Sequence, residues 1–283
     1  MKIGFIGIGI MGDPMAENLI KAGYSLNVFS RKKEKAEKLI SLGAEYYSTI
    51  GECVSSCDAV ITIVGYPKDV EEVYLGKGNI LDSVKKGAYL IDMTTSSPTL
   101  AQKIYNESKN IGLHSLDAPV TGGEIGAING TLSVLVGGNK QDFDACKPIF
   151  SAMCKRAVYF GKAGSGQHAK LANQIMIGAN VAGVCEAFIY AKNHGIDISE
   201  FFTAVENGAA SSFQLSTAGK RLVENDFSPT FFTKHIIKDL KLAKNESEGL
   251  KLDVLNQVLN EYLSFNGNCD NLGTQSLIKY YEE

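Results

Sequence analysis

The chain opens with KIGFIGIGIMGDPMAENLIKAGYSLNVFS, residues 2–30, and no other segment limits the possible folds as much. Ile3, Phe5, Ile6 and Ile8 form an apolar, strand-like run. Gly7, Gly9 and Gly12 stand within and after it at G-x-G-x-x-G spacing, with Ile8, Ile10 and Met11 between them. Met11, Met15 and Leu19 then recur at helical spacing until Gly23, and residues 26–29 read as a second strand. Strand, glycine turn, helix and strand in this order are what give the glycine spacing a meaning. Gly7 allows a tight turn, Gly9 lets the backbone approach a pyrophosphate, and Gly12 lets helix and strand pack closely. The helix N-terminus then offers N–H groups and a positive dipole end to the phosphates. The alternative is a glycine-rich turn in an α/β domain that binds nothing.

The alternation continues downstream. Residues 32–42 read as a helix, 44–46 as a strand, 50–56 as a short helix, and 59–64 as an apolar strand ending before Gly65. A helix is expected over 69–75, a strand over 89–92, a polar turn over 93–98, a helix over 99–110 and a strand over 114–117. A glycine-containing loop, 118–124, breaks the pattern before a strand at 132–136, a helix at 141–152 and a last strand at 158–160. Strands alternating with helices imply a mainly parallel sheet wound on both faces. The character changes at residues 161–166, a glycine-rich stretch that reads as a hinge-like linker. Beyond it no strand is expected. Residues 167–193 read as one long helix, apolar on more than one side and so buried between domains or subunits. Further helices follow at 199–207, 216–224, 233–248 and 254–264, with a final one ending near Tyr280. The expected fold is α/β: a Rossmann-type doubly wound domain over residues 1–162, then an all-helical domain over 163–283 joined through the long helix.

Composition narrows the function classes. A chain of 283 residues with net charge −3 has no electrostatic case for nucleic acid. No apolar run reaches about 18 residues, so no membrane partner is expected, and with a strand opening the sequence no signal peptide is expected either. The six cysteines, at positions 53, 57, 146, 154, 185 and 269, form no C-x-x-C pair, which fits reduced thiols in a cytoplasmic protein. Cys53 and Cys57 lack two further ligands nearby, so no metal site is expected.

A carboxylate at the end of the second strand would bond the ribose 2′-OH of NAD. Ser30 stands there instead, followed by Arg31 and Lys32. A serine can hydrogen-bond a 2′-phosphate and an arginine can fork onto it, which favours NADP. If Arg31 only starts a solvated helix, NAD stays open. Ligands of open α/β sheets bind outside the carboxyl ends of strands. Val64, Tyr66 and Pro67 lie at such an end, as does Thr95, so these residues are expected to line the nicotinamide. Thr95 can equally be a helix N-cap ahead of Pro98. Thr121, Gly122 and Gly123 form a turn whose N–H groups suit a carboxylate, or a plain turn. Lys170, Asn173 and Gln174 share one face of the long helix. They are either an exposed first turn or a site. His168 lies on another face, without a carboxylate partner.

Together these stretches resemble the β-hydroxyacid dehydrogenase family, which includes 3-hydroxyisobutyrate dehydrogenase, tartronate semialdehyde reductase and the succinic semialdehyde and glyoxylate reductases. The resemblance spans nearly the whole chain. GFIGIGIMGDPMAENLIKAG is similar to the family's cofactor signature, DAPVTGGEIGAINGTL to its substrate signature, GSGQHAKLANQ to its catalytic segment, and KDLKLA to a late signature. The resemblance implies that Lys170 is the catalytic lysine, acting as general acid or base. It implies that Asn173 and Gln174 help hold the substrate, and that Thr121, Gly122 and Gly123 hold its carboxylate. It also implies that Thr95 and Lys238 contact the cofactor, with Phe231 beside the nicotinamide. Thr121 stands where serine is common, adding a methyl that leaves substrate size open. Gln174 replaces a frequent second asparagine, as in the tartronate semialdehyde reductase type. The implied activity is NADP-dependent interconversion of a small semialdehyde or keto acid with its hydroxy acid, in a homodimer or homotetramer. The rivals are an NAD-dependent 3-hydroxyisobutyrate dehydrogenase and a non-catalytic NADP-binding homologue. 6-Phosphogluconate dehydrogenase would need a much larger helical domain.

Overall fold

The computed structural model describes residues 1–282. Strands β1 (Lys2–Ile6), β2 (Ser25–Phe29), β3 (Glu45–Tyr47), β4 (Ala59–Thr62), β5 (Tyr89–Asp92) and β6 (His114–Asp117) are parallel, in spatial order β3-β2-β1-β4-β5-β6. The order reverses between β1 and β4, the place where open α/β sheets bind ligands. β6 and the two-residue β7 (Val120–Thr121) both run antiparallel to β8 (Leu132–Gly138), and β9 (Cys154–Gly161) pairs with β8 in parallel.

Side chains alternate across this sheet with period two. Ile3, Phe5, Ala59 and Ile61 pack on one face against Met15, Ala16 and Leu19 of helix α1 (Gly12–Lys21). Ile6, Val60 and Leu90 pack on the other. Helices α2 (Glu37–Ser41), α3 (Ile50–Val54), α4 (Pro67–Leu75), α5 (Ile80–Ser83), α6 (Pro98–Asn110), α7 (Gly123–Ile128) and α8 (Lys140–Met153) complete the two layers. Phe143, Cys146, Ile149 and Phe150 of α8 join the α1 face. Val54 of α3, Val70 and Tyr74 of α4 and Ile104 of α6 cover the opposite one. Each large side chain fully buried this way contributes about 1.5–3 kcal/mol.

Several boundaries differ from expectation. The helix expected over 32–42 is a 3₁₀ turn, Lys33–Ala36, followed by α2. α4 begins two residues early because Pro67, with no N–H to satisfy, takes its first position. The loop expected at 118–124 contains β7 and the start of α7. β9 begins at Cys154 rather than 158, since its first half carries exposed Lys155 and Arg156 and so shows no apolar alternation.

The chain divides into two compact units, Met1–Lys170 and Leu171–Glu283. Helix α9 (Ser165–Asn193) starts in the first and continues through the second. Its 29 residues, with mean hydropathy 1.3 over 18 of them, would suffice to cross a bilayer by length and composition alone. Its Leu171, Val181, Ala182, Val184 and Cys185 pack in the core of the second unit. That core is shared with α10 (Ile198–Val205), α11 (Lys220–Val223), α12 (Thr233–Asn245), α13 (Asp253–Ser264) and α14 (Ile278–Tyr281). The helix expected over 216–224 is a π-helical turn, Leu215–Gly219, running into α11. Among the described residues of this unit there is no strand, only one isolated bridge between Phe232 and Gly273.

Candidate active site

The glycine loop separates into two kinds of position. Gly7 has φ +106°, and a Cβ there would lie 2.1 Å from the Ile63 carbonyl oxygen. A Cβ on Gly12 would lie 2.0 Å from the Gly7 carbonyl oxygen. Both are therefore glycine for reasons internal to the chain. Gly9 is different: beyond its own chain neighbours, no protein atom comes within 4 Å of its Cβ position. Its side is open, as a cradle for a pyrophosphate requires. Ile8 is buried, Met11 precedes α1, and Ile10 is exposed beside the opening. These residues fit a dinucleotide.

Beyond β2, Ser30 is buried and Arg31 is exposed. The Arg31 guanidinium lies 4.0 Å from Asp69 Oδ1, so a carboxylate does stand near this end, delivered by α4. Asp69 Oδ2 accepts the Tyr66 N–H at 3.0 Å, which fixes the turn of Tyr66 and Pro67 after β4. Val64 donates its N–H to Thr94 Oγ1 at 3.0 Å, joining the ends of β4 and β5.

The ends of β5 and β6 carry two buried aspartates in register, Asp92 and Asp117. Asp92 Oδ1 accepts from Thr62 Oγ1 at 2.9 Å and from the Thr94 N–H at 3.1 Å. Asp117 Oδ1 accepts the Gly164 N–H at 2.8 Å and its Oδ2 accepts the Gln167 N–H at 2.9 Å. Burial pushes both carboxyls up to about 6, against the hydrogen bonds they accept. Asp117 thus caps the N-terminus of α9, where backbone N–H groups have no partner within the helix. Gly166 sits in that first turn because a Cβ would lie 2.4 Å from the Leu135 carbonyl oxygen. The stretch expected to be a hinge is consequently the seat of α9 on the sheet. Fully buried Gln167 spans the gap to β5: its Oε1 accepts the Ser96 N–H and its Nε2 donates to the Thr94 carbonyl, both at 2.8 Å. Thr95 lies between those two peptide groups. The N-cap ahead of Pro98 is Ser97, which accepts from the Leu100 N–H, and not Thr95.

Three residues past Gln167, Lys170 is 7% exposed. His168 is exposed. Thr121 ends β7 opposite Ser133, and Gly122 and Gly123 follow with φ +127° and +64°. Nothing lies within 4 Å of the Gly123 Cβ position. One turn beyond Lys170 on α9 come Asn173 and Gln174, in the second unit. Gln174 is 1% exposed and donates from Nε2 to Asp239 Oδ2 at 2.7 Å. Lys238 Nζ lies 3.1 Å from Asp239 Oδ1, within ion-pair range though outside hydrogen-bond geometry. Asn173 Oδ1 and Gln174 Oε1 are buried without hydrogen-bond partners. Phe231 precedes α12 and stacks on His235, centroids 6.3 Å apart. Burial, with Lys238 adding to it, holds the His235 pKa below its ordinary value.

Asp117, Gln167 and Asp239 were not singled out by sequence reasoning. Asp117 carried a readable signal: an acid closing a buried strand needs donors, and a helix start supplies them. Gln167 and Asp239 carried none, since their partners lie far away in sequence. Among the described residues no group of three or more His, Cys, Asp and Glu could hold a metal ion.

Residues 2–161 match the family model of the NAD-binding domain of 6-phosphogluconate dehydrogenase. Residues 164–280 match that of the NAD-binding region of NADP-dependent 3-hydroxyisobutyrate dehydrogenase. An uncharacterised oxidoreductase of Bacillus subtilis is 46% identical over 99% of this chain and 98% of its own length. The 2-hydroxy-3-oxopropionate reductase of Escherichia coli is 38% identical, over 97% and 94%. The solved structure of Mycobacterium tuberculosis 3-hydroxyisobutyrate dehydrogenase with L-serine superposes at TM-score 0.91 with 27% identity, covering 100% of this chain and 99% of that one. With its glycine loop at the sheet's switch point and both halves matched by these models, the chain belongs to the β-hydroxyacid dehydrogenase family of NAD(P)-dependent oxidoreductases.

Proposed function

We propose that this enzyme interconverts a small semialdehyde or keto acid with the corresponding hydroxy acid, preferring NADP. The observation that carries the reading is on α9. A lysine with 7% exposure is followed, one turn on, by two buried acceptors, Asn173 Oδ1 and Gln174 Oε1, that have no donor. Leaving such acceptors unpaired costs about 1–3 kcal/mol each, and a hydroxyl-bearing ligand removes that cost. A nicotinamide dinucleotide, when bound, would supply or take the hydride. Lys170, as ammonium, donates a proton to the carbonyl oxygen as charge develops there; in the oxidative direction the neutral amine takes the hydroxyl proton. Thr121, Gly122 and Gly123 bind the carboxylate through the hydroxyl and the backbone N–H groups of two successive positive-φ residues. Gly7 to Gly12 hold the pyrophosphate. Val64, Tyr66, Pro67 and Thr95 would hold the rest of the cofactor, and Ser30 and Arg31 its 2′-phosphate; Phe231 and Lys238 are assigned to it by the family resemblance alone. The resemblance to the 2-hydroxy-3-oxopropionate reductase and to 3-hydroxyisobutyrate dehydrogenase supports this substrate class. The Asp69 carboxylate beside Arg31 favours the second reading, NAD.

The test is a panel of glyoxylate and of succinic, tartronate and methylmalonate semialdehydes, each with NADPH and with NADH, beside propionaldehyde as an aldehyde without an acid group. An acid aldehyde should be turned over far faster than propionaldehyde; equal rates overturn the carboxylate site. Lys170→Ala should lower kcat by at least about 10²-fold with NADPH affinity little changed. A mutant keeping more than a tenth of wild-type kcat overturns the role of Lys170. Lys170→Arg should not restore activity, because guanidinium does not give up its proton near neutral pH.

A further inference from the structure

We infer that Gln167 is a positioning residue that holds the Thr95 segment and the Lys170 helix in one frame; this rests on the acid/base role proposed for Lys170. Its side chain is fully buried and its amide reaches two backbone groups across more than seventy residues of sequence. Those groups are the Thr94 carbonyl and the Ser96 N–H, which flank Thr95 on either side. The amide therefore bonds the segment as a neighbouring strand would, with one acceptor and one donor, and fixes the backbone that presents Thr95. At its other end Gln167 is held by its own N–H on Asp117 Oδ2, in the turn of α9 that precedes Lys170. Asp117 also takes the Gly164 N–H, so the helix start cannot slide along the sheet without losing two bonds to one carboxylate. Gly166 and Gly137 close the seat from the other side: a Cβ on Gly137 would lie 2.7 Å from the Gly166 nitrogen. A lysine placed by such a turn depends on the turn's register. With its acceptor and one amide hydrogen committed to the backbone, Gln167 acts through Thr95 and Lys170 rather than on the substrate.

The chemistry of the amide supplies the test. Glutamate has the same shape. As a neutral acid it keeps the pattern, its carbonyl accepting from Ser96 and its hydroxyl donating to Thr94. As a carboxylate it faces the Thr94 carbonyl with an acceptor and no donor. Gln167→Glu should therefore show a kcat close to wild type at low pH, falling at least tenfold relative to wild type as pH rises and the carboxyl ionises. Gln167→Met, which matches the volume and has no amide, should lose at least tenfold in kcat at every pH. Amide hydrogen exchange at Ser96 should be slow in the wild type and faster in Gln167→Met. A Gln167→Glu to wild-type kcat ratio that is flat with pH overturns the inference, as does Gln167→Met with wild-type kcat and Ser96 exchange. A melting temperature that falls while kcat holds makes Gln167 merely structural and overturns it too. If Gln167→Met does not fold, the pH ratio of Gln167→Glu decides alone. Wild type inert toward the whole panel defeats the functional reading instead, and Ser96 exchange then decides whether Gln167 holds that segment.

Discussion

Two glycines three residues from one another in the chain's start, Gly9 and Gly12, offer a contrast that needs no substrate. In Gly12→Ala the new methyl would sit 2.0 Å from the Gly7 carbonyl oxygen and 3.1 Å from Ile63 Cγ2. Real Cβ atoms come no closer than 3.0 Å to such neighbours, so α1 must retreat by about 1 Å from β1. Its buried Met15, Ala16 and Leu19 would retreat with it. Overpacking of this kind costs about 1–3 kcal/mol, and a backbone oxygen, unlike a side chain, has no rotamer by which to yield. Gly9→Ala meets nothing within 4 Å and does not occupy the left-handed region. By restricting the unfolded chain it should leave the apoenzyme unchanged or stabilise it by about 0.4–1 kcal/mol. The cofactor should respond in the opposite sense. A methyl placed where the pyrophosphate packs should cost about 1–3 kcal/mol of binding, a rise in Kd of about 5- to 150-fold. Urea unfolding of the apoenzymes and fluorescence titration with NADPH measure the two effects separately. Gly12→Ala should lose stability, while Gly9→Ala should keep stability and lose affinity. A Gly9→Ala protein that binds NADPH as tightly as wild type refutes the reasoning, because the open side of Gly9 would then have no ligand to admit.

Arg31→Ala should weaken NADPH and leave NADH nearly untouched, a loss of about 1.5–3 kcal/mol for one charged contact; equal losses with both cofactors remove Arg31 from the 2′-phosphate. Burial raises the Asp92 carboxyl to about 6, so the folded chain holds this proton to higher pH than the unfolded chain does, and stability falls as pH rises from about 4 to about 6. Asp92→Asn removes that titration while its amide oxygen can still accept from Thr62 and Thr94, so its urea stability relative to wild type should rise by about 3 kcal/mol across that window; a difference that stays flat with pH refutes the assignment.

What the sequence made legible was local. Gly7, Gly9 and Gly12 act within one turn of chain, and their spacing carries their meaning. Lys170, Asn173 and Gln174 are one helical turn apart, so their shared face follows from the 3.6-residue period. What stayed hidden was contact between distant segments. Gln167 bonds residues 71 and 73 positions away, and Asp117 bonds residues 47 and 50 positions away. Gln174 is held by Asp239, 65 residues on. The empty carboxylate position after β2 favours NADP while leaving NAD open, and the sequence gives no sign that α4 brings Asp69 to 4.0 Å from Arg31. The 161–166 glycines look like a hinge because composition reports permissiveness and not packing; only the nearness of Leu135 and Asp117 shows that Gly166 is small in order to fit. The polar start of β9 is lost to alternation for the related reason that an exposed half-strand has no apolar face.

The choice of aspartate at position 117 shows how this arrangement sets its own cost. Two N–H groups, from Gly164 and Gln167, converge on its two oxygens. Asparagine would offer one acceptor and turn an NH₂ group toward the second donor, so only a carboxylate serves both. That carboxylate is buried, which is why its pKa rises to about 6 despite the donors around it. An uncapped α9 would leave those N–H groups buried and unpaired, at about 1–3 kcal/mol each, so the raised pKa is the smaller of two penalties only where the helix must begin at this point. The same condition governs Gly166 and Gly137, where any side chain would push the helix off the sheet. All of these choices hold one turn of helix, and three residues after Gln167 that turn delivers Lys170. The acid/base role proposed for Lys170 makes this cost intelligible: a lysine that is to meet a developing charge at hydrogen-bond distance needs its register fixed, and a buried charge, two glycines and a buried glutamine fix it.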